Sequence, residues 1–347
     1  MSCNFPLKGF QIGLTKNGKP EYKIVPYKTD NIEFINGSWQ VVNHNERKFK
    51  AARAVYKFVK IPCGKCIQCR LEYAKSWAAR CMLEMEKYDK NSFITLTYDD
   101  DSVPRSWIEH TDNYTGEVFK TRSGDLLSLN KKNLQDFFKR LRSHTSEPVR
   151  YFACGEYGES TFRPHYHFIS FNYRPDDLVF YKRTPAGDSL YTSESLSKIW
   201  SYGNVIVADA TYESACYVAR YVMKKAKGVD SGIYDLYGID PEFVTMSRKP
   251  GIANDFYQKH KDTDLFVSNR IHISSENGGK SFKPFRYFKK CYEQDYPGDL
   301  HYLTDNQKKF SEDFEKFQKS STDKSYLEML SDKEYILAQK QLKRKEI

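Results

Sequence analysis

The chain has 347 residues, with 55 Lys and Arg against 45 Asp and Glu for a net charge of +10, and an apolar fraction of 39%. That supports folded cores and excludes whole-chain disorder and collagen-like repetition, while the lack of any run of about 18 apolar residues excludes a membrane-spanning helix. The first ten residues lack the apolar core of a secretory signal, so the expected setting is the cytoplasm with reduced thiols.

Residues 1–60 carry short β-like runs at 22–25 and 39–42, broken by Asn17, Gly18, Pro20, Pro26, Asn36 and Gly37, and read as a β-rich extension. Over residues 67–88, Leu71, Ala74, Ala78, Met82 and Met85 recur at spacings of three and four, which predicts an amphipathic helix. Residues 92–98 form a β-branched and aromatic run closed by Asp99, Asp100 and Asp101, and read as a buried strand before a long loop to about Asp125. Leu134, Phe137, Phe138 and Leu141 share one face of a helix over 130–142, capped by Ser128 or Asn130. Residues 149–154 and 165–173 read as an antiparallel strand pair joined by 155–161. A helix at 193–200, a strand at 204–208 and a helix at 213–225 ended by Gly228 complete this part. The fold class is α+β, a central antiparallel sheet flanked by helices over residues 61–228. A basic mixed region at 229–305 and a charged helical tail at 306–347, read as a solvated appendage, make a helical or irregular basic C-terminal extension.

His165 and His167 lie two apart inside a strand, so both imidazoles point to one face. Eight histidines give a His-x-His about 0.2 times by chance. Two sheet-face histidines would explain the pair by themselves; a third, carboxylate ligand would make it a metal site. Glu156 on the adjacent strand is the first choice, with Glu159 nearer the loop tip and Asp99 to Asp101 as alternatives. A mixed His₂-carboxylate set with open positions suits Mg²⁺ or Mn²⁺ acting on an oxyanion, not a closed structural zinc.

Tyr217 and Tyr221 stand one helical turn apart on one face, with Arg220, Lys224 and Lys225 beside them to neutralise phosphates. With 26 tyrosines about two such pairs arise by chance, and the other, Tyr292 and Tyr296, is disfavoured as helical by Pro297. A phenol with a free pKa near 10 is a poor nucleophile unless a metal polarises the phosphate it attacks, so the metal and the tyrosines explain each other. Cys63, Cys66 and Cys69, with Cys81 on the following helix, could bind Zn²⁺ through four thiolates; packed thiols are an equal reading and an iron–sulfur cluster a third. Arg248 and Lys249, before Pro250 and Gly251, form a basic turn suited to phosphate contact or to an ordinary surface turn. There is no P-loop, so no ATP-driven unwinding is expected from this chain.

These residues resemble a known family. Pro164-His165-Tyr166-His167 is similar to the His-hydrophobic-His motif of HUH endonucleases, residues 93–97 to their preceding strand motif, and residues 217–225 to their two-tyrosine motif. The likeness is closest to the replication initiation proteins of microviruses, small single-stranded DNA phages, especially the gokushovirus type; residues 62–70 and 246–252 also look like segments of that group. Arg220 stands where related motifs often carry Lys, which keeps the charge but alters the donor geometry. The resemblance implies rolling-circle initiation in the bacterial host cytoplasm. Supercoiled duplex DNA is nicked at the origin with Mg²⁺ or Mn²⁺, a 5′-phosphotyrosine forms on Tyr217 or Tyr221, host polymerase and helicase act next, and the displaced single strand is circularised. An HUH transposase or plasmid initiator would use the same residues, and a non-catalytic DNA-binding protein organised by zinc is the reading from another class.

Overall fold

The computed structural model describes residues 3–42, 53–158, 160–221, 232–273, 278–299, 305, 309, 312–314, 316–317 and 319–343. The chain divides into two compact units, one of Met1–Glu72 with Thr304–Ile347 and the other of Tyr73–Leu303.

In the first unit, β1 (Leu7–Leu14), β2 (Pro20–Pro26), β3 (Ile32–Ile35), β4 (Ser38–Val41), β5 (Arg53–Val55) and β6 (Phe58–Ile61) form two three-stranded antiparallel sheets, ordered β2-β1-β6 and β4-β3-β5. Phe10, Val25 and Ile32 are their buried centre. Helix α1 (Ile67–Met85) begins in this unit, and the C-terminal helix Tyr326–Lys343 belongs to it. Glu334 of that helix accepts hydrogen bonds from the Ile67 amide at 2.7 Å and from Asn4 Nδ2 at 2.8 Å. A carboxylate there satisfies an amide that the first turn of α1 leaves without an intrahelical partner.

The second unit continues with β7 (Asn91–Thr97), β8 (Ile108–Thr111), β9 (Val118–Thr121), α2 (Lys131–Ser143), β10 (Arg150–Tyr157), β11 (Pro164–Phe171), β12 (Leu178–Arg183), β13 (Ser189–Ser193) and α3 (Glu194–Trp200). After these come β14 (Val205–Ala208), α4 (Tyr212–Tyr221), α5 (Gly232–Tyr237), β15 (Phe243–Met246), α6 (Asn254–His260), α7 (Leu265–Ser268), β16 (Ile271–Ile273), β17 (Lys280–Phe282) and α8 (Arg286–Asp295). Seven strands form one antiparallel sheet, β12-β13-β14-β7-β11-β10-β15. On one face Tyr166 and Phe168 pack with Leu134, Phe137 and Leu141 of α2 and Trp200 of α3. On the other, Phe152, Cys154, Ile169 and Phe171 pack with Ala78 and Cys81 of α1 and Ala215, Val218 and Ala219 of α4. Cover on both faces is why β11 reads as a nearly continuous apolar run. Truncating the fully buried Phe168 to Ala would cost about 3–5 kcal/mol.

The α+β class, with a large antiparallel sheet between helices, is the one the sequence predicts. The Asn130 side chain caps α2 by accepting from the Lys132 amide, and Ser193 caps α3 by accepting from Leu196. Two hairpins depart from the expectation. The strands β8 and β9 occupy the stretch read as irregular, and β12 with β13 follows the central pair; their residues are largely exposed, so no alternation of buried positions announces them. The strand predicted to stop at Cys154 runs on to Tyr157. Gly155 is not a turn residue: a Cβ there would fall 2.7 Å from a ring carbon of Phe243 on β15. Among the described residues no helix is long and apolar enough to cross a membrane.

Candidate active site

The extension of β10 sets the site. It places Glu156 directly opposite His165, while His167 faces Cys154 on one side and Thr95 of β7 on the other. Glu156, His165, His167 and Thr95 therefore share the sheet face covered by α4, as the two-residue period requires. The Nε2 atoms of His165 and His167 lie 2.8 and 2.9 Å from Glu156 Oε1. Tyr217, on α4, donates to the same oxygen at 3.0 Å and lies 3.5 Å from His167 Nε2.

Surrounding groups fix the imidazoles. His165 Nδ1 is 3.0 Å from the Arg163 carbonyl, which can only accept, so this nitrogen carries the proton and Nε2 of the neutral ring keeps its lone pair. His167 Nδ1 is 2.8 Å from Thr95 Oγ1, and its ring stacks on Phe93 at 5.6 Å between centroids. Arg163 is held in turn by the Tyr98 carbonyl at 2.8 Å and Asp100 at 2.7 Å. Glu156 is 1% exposed. Burial pushes its carboxyl up, but hydrogen bonds and charge from His165 and His167 outweigh this and hold it below the ordinary glutamate value.

A metal ion fits this arrangement. Two neutral imidazole nitrogens and a carboxylate oxygen are all acceptors, so their convergence needs a shared cation. Glu156 Oε2 is buried with no hydrogen-bond partner. The three ligand atoms lie within 4.8 Å of one another, and cis ligands of an octahedral ion with bonds of about 2.1 Å would stand about 3.0 Å apart. Of the three carboxylate choices, Glu156 is the one in this group. Asp99 accepts the Ser102 amide and Asp100 pairs with Arg163, while Glu159 lies outside the described residues.

A second group consists of Cys3, Cys63, Cys66 and Cys69. Cys81, the fourth thiol expected from the sequence, is not part of it. On the continuous helix α1 it stands about 18 Å along the axis from Cys69, and it is fully buried among Phe152, Cys154 and Ala219. The fourth thiol is Cys3, which spacing along the chain could not point to.

Arg220 is exposed in the last turn of α4, and Tyr221 ends that helix; the Tyr221 side chain, Lys224 and Lys225 lie outside the described residues. Arg248 and Lys249 are exposed on a cavity of about 550 Å³ that Arg142 and Arg150 also line. Their turn is clamped from below. Arg150 donates to the Pro250 carbonyl at 2.9 Å and to Glu84 at 2.6 Å, and Arg80 donates to the Ile252 carbonyl at 2.8 Å. Thr95, Arg163 and Phe93 are not singled out by sequence reasoning; the signal available is their position beside the histidine pair, one strand across or two residues before.

A family model for the replication-associated protein ORF2 matches residues 91–226, which contain every member of the histidine–tyrosine site. Replication-associated protein VP4 of Bdellovibrio phage phiMH2K is 31% identical over 263 residues, covering 76% of this chain and 76% of that protein. Replication-associated protein ORF2 of Spiroplasma virus 4 is 30% identical over 277 residues, 79% of this chain and 81% of that one. Replication-associated protein ORF4 of Chlamydia phage 1 is 31% identical over 173 residues, 48% of this chain and 38% of the other. No solved structure matches. With two relatives aligned along most of their length, the chain belongs to the replication-associated proteins of microvirus-type phages, which act in the initiation of replication.

Proposed function

We propose that this protein is an HUH-type endonuclease and ligase that starts rolling-circle replication by nicking supercoiled duplex DNA at the phage origin. The observation that carries this reading is the convergence of the Tyr217 hydroxyl with Glu156, His165 and His167 within hydrogen-bonding distance. These three ligands would hold Mg²⁺ or Mn²⁺, which supplies polarisation of the scissile phosphate and stabilisation of developing negative charge.

The residues of the chain do the rest. Thr95 and the Arg163 carbonyl hold the imidazoles so that both Nε2 atoms face the carboxylate. Tyr217 Oη attacks the phosphorus, its proton leaving along the hydrogen bond to Glu156, and the bond to the 3′ oxygen breaks. The 5′ end stays on the tyrosine and the 3′-OH is free for host polymerase. Tyr217 is the first nucleophile in this reading because its hydroxyl stands in the site; Tyr221, one turn on, serves the later transfer that closes the displaced single strand. Arg220 and the turn of Arg248 and Lys249, with Lys224 and Lys225, neutralise the DNA backbone. A host helicase would unwind the duplex, and the setting is the host cytoplasm.

The test is incubation with supercoiled origin DNA and Mn²⁺. Open circles carrying protein on the 5′ end, absent with His165→Ala although that variant still shifts the DNA in a gel, are the expected result. Intact circles with DNA bound would make the chain a non-catalytic binder.

A further inference from the structure

The group of four cysteines lies in the first unit and plays no part in the proposed chemistry. We infer that Cys3, Cys63, Cys66 and Cys69 hold one structural Zn²⁺ that staples the start of the chain to the first turn of α1. All four sulfurs lie within 4.8 Å of one another. Cys3 Sγ and Cys66 Sγ are 3.9 Å apart; four sulfurs at about 2.3 Å around a tetrahedral ion stand about 3.8 Å from each other. That separation is nearly twice a disulfide bond of about 2.05 Å, so the sulfurs are neither bridged nor scattered. An iron–sulfur cluster takes one thiolate per iron and spreads them more widely.

The backbone is arranged for thiolates. Cys3 Sγ accepts the Cys63 amide at 3.2 Å, Cys63 Sγ accepts the Lys65 and Cys66 amides at 3.4 and 3.3 Å, and Cys66 Sγ accepts the Cys69 amide at 3.4 Å. A neutral thiol is a weak acceptor, whereas four thiolates around a dication leave a surplus of negative charge that such amides offset. Gly64, at φ +71°, makes the turn that brings the Lys65 and Cys66 amides back onto Cys63. The contrast with Cys81 and Cys154 is chemical: those two pack among apolar side chains, while these four face one another and amides.

The staple also holds the C-terminal helix. Asn4 follows Cys3 and Ile67 follows Cys66, and both donate to Glu334. A metal that fixes the two cysteines fixes the two donors, so the seat of helix Tyr326–Lys343 depends on the ion.

The test uses the full chain carrying His165→Ala, so that the histidine site does not supply nitrogen ligands. Metal analysis should find about one zinc per chain, and X-ray absorption should show four sulfurs at about 2.3 Å. Cys3→Ser should lower the zinc content at least tenfold, and Cys81→Ala should leave it unchanged. Absorption spectra of the parent chain decide the matter even if Cys3→Ser does not fold. Three sulfurs with a nitrogen or oxygen, iron in place of zinc, or no metal at all would overturn the assignment, as would zinc that survives loss of Cys3 or departs with Cys81.

Discussion

Replacing Thr95 with Val removes one hydroxyl and keeps the branched shape on β7. The hydroxyl lies 2.8 Å from His167 Nδ1, so the variant loses the group that holds this nitrogen protonated and leaves Nε2 as the electron pair for a metal. The ring keeps its stacking on Phe93 at 5.6 Å and its edge contact with Tyr217 at 4.9 Å, so it stays near its place. Losing a supporting hydrogen bond behind a metal-bound imidazole costs about 10- to 100-fold in metal affinity. The retained packing puts Thr95→Val at the lower end, about tenfold or about 1.4 kcal/mol. The assay is the Mn²⁺ concentration giving half-maximal nicking of supercoiled origin DNA, paired with direct Mn²⁺ binding followed by the electron paramagnetic resonance of the free ion. Both should shift together by about tenfold, with nicking at saturating Mn²⁺ within about twofold of the parent. An unchanged Mn²⁺ dependence would defeat this expectation, since packing alone would then orient the ring. So would a loss of rate that saturating metal does not restore.

Three further outcomes follow from the same geometry. Gly251→Ala places a Cβ 2.6 Å from the Tyr287 ring, whose hydroxyl is tied to Asn254 at 2.8 Å, and should cost about 1–3 kcal/mol in urea unfolding; an unchanged midpoint would show that the ring moves freely. Glu334→Ala leaves the Ile67 amide and Asn4 without their acceptor, and hydrogen exchange should show the amides of the C-terminal helix opening more easily by about 1–2 kcal/mol, whereas unaltered protection would mean the latch is inert. Burial pushes the Tyr98 phenol up to about 12, with hydrogen bonds from Tyr166 and Asn133 opposing the shift. An unfolded tyrosine ionises near 10, so the stability this group contributes is whole below pH 10 and falls between pH 10 and 12, by up to about 1.4 kcal/mol per pH unit. Urea unfolding across that range should give a shallower decline for Tyr98→Phe, and identical slopes would contradict the assignment.

The legibility of the sequence is uneven for physical reasons. His165 and His167 announce a common face because a strand has a period of two, and Tyr217 announces a helix because its neighbours are helix formers beside an apolar stripe. The central sheet is readable where both faces are buried, as in β7 and β11, and unreadable in β8, β9 and β12, where exposed side chains leave no pattern. Glu156 is the right carboxylate for an incomplete reason: the sequence places the strand end before it, and Gly155 looks like a turn when it makes room for Phe243. Cys3 is invisible because the loop that returns it to Cys63 is a matter of tertiary structure. Cys81 is the wrong fourth thiol although the predicted helix already sets it about 12 residues, or about 18 Å, beyond Cys69. Local periodicity carries the elements; distant pairings come only from packing.

In this mechanism the Tyr217 hydroxyl, held beside Glu156 and the histidine pair, is the group that takes the DNA. Cleavage of an end-labelled single-stranded origin oligonucleotide, followed by protease digestion and mass spectrometry of the nucleotide-bearing peptide, tests it without intermediaries. The expected product is a 5′-phosphodiester on Tyr217 that disappears with Tyr217→Phe, with His165→Ala and with chelator, and that persists with Tyr221→Phe. An adduct formed on Tyr221 in the first cleavage, or cleavage that needs neither tyrosine nor metal, would overturn the role given to Tyr217.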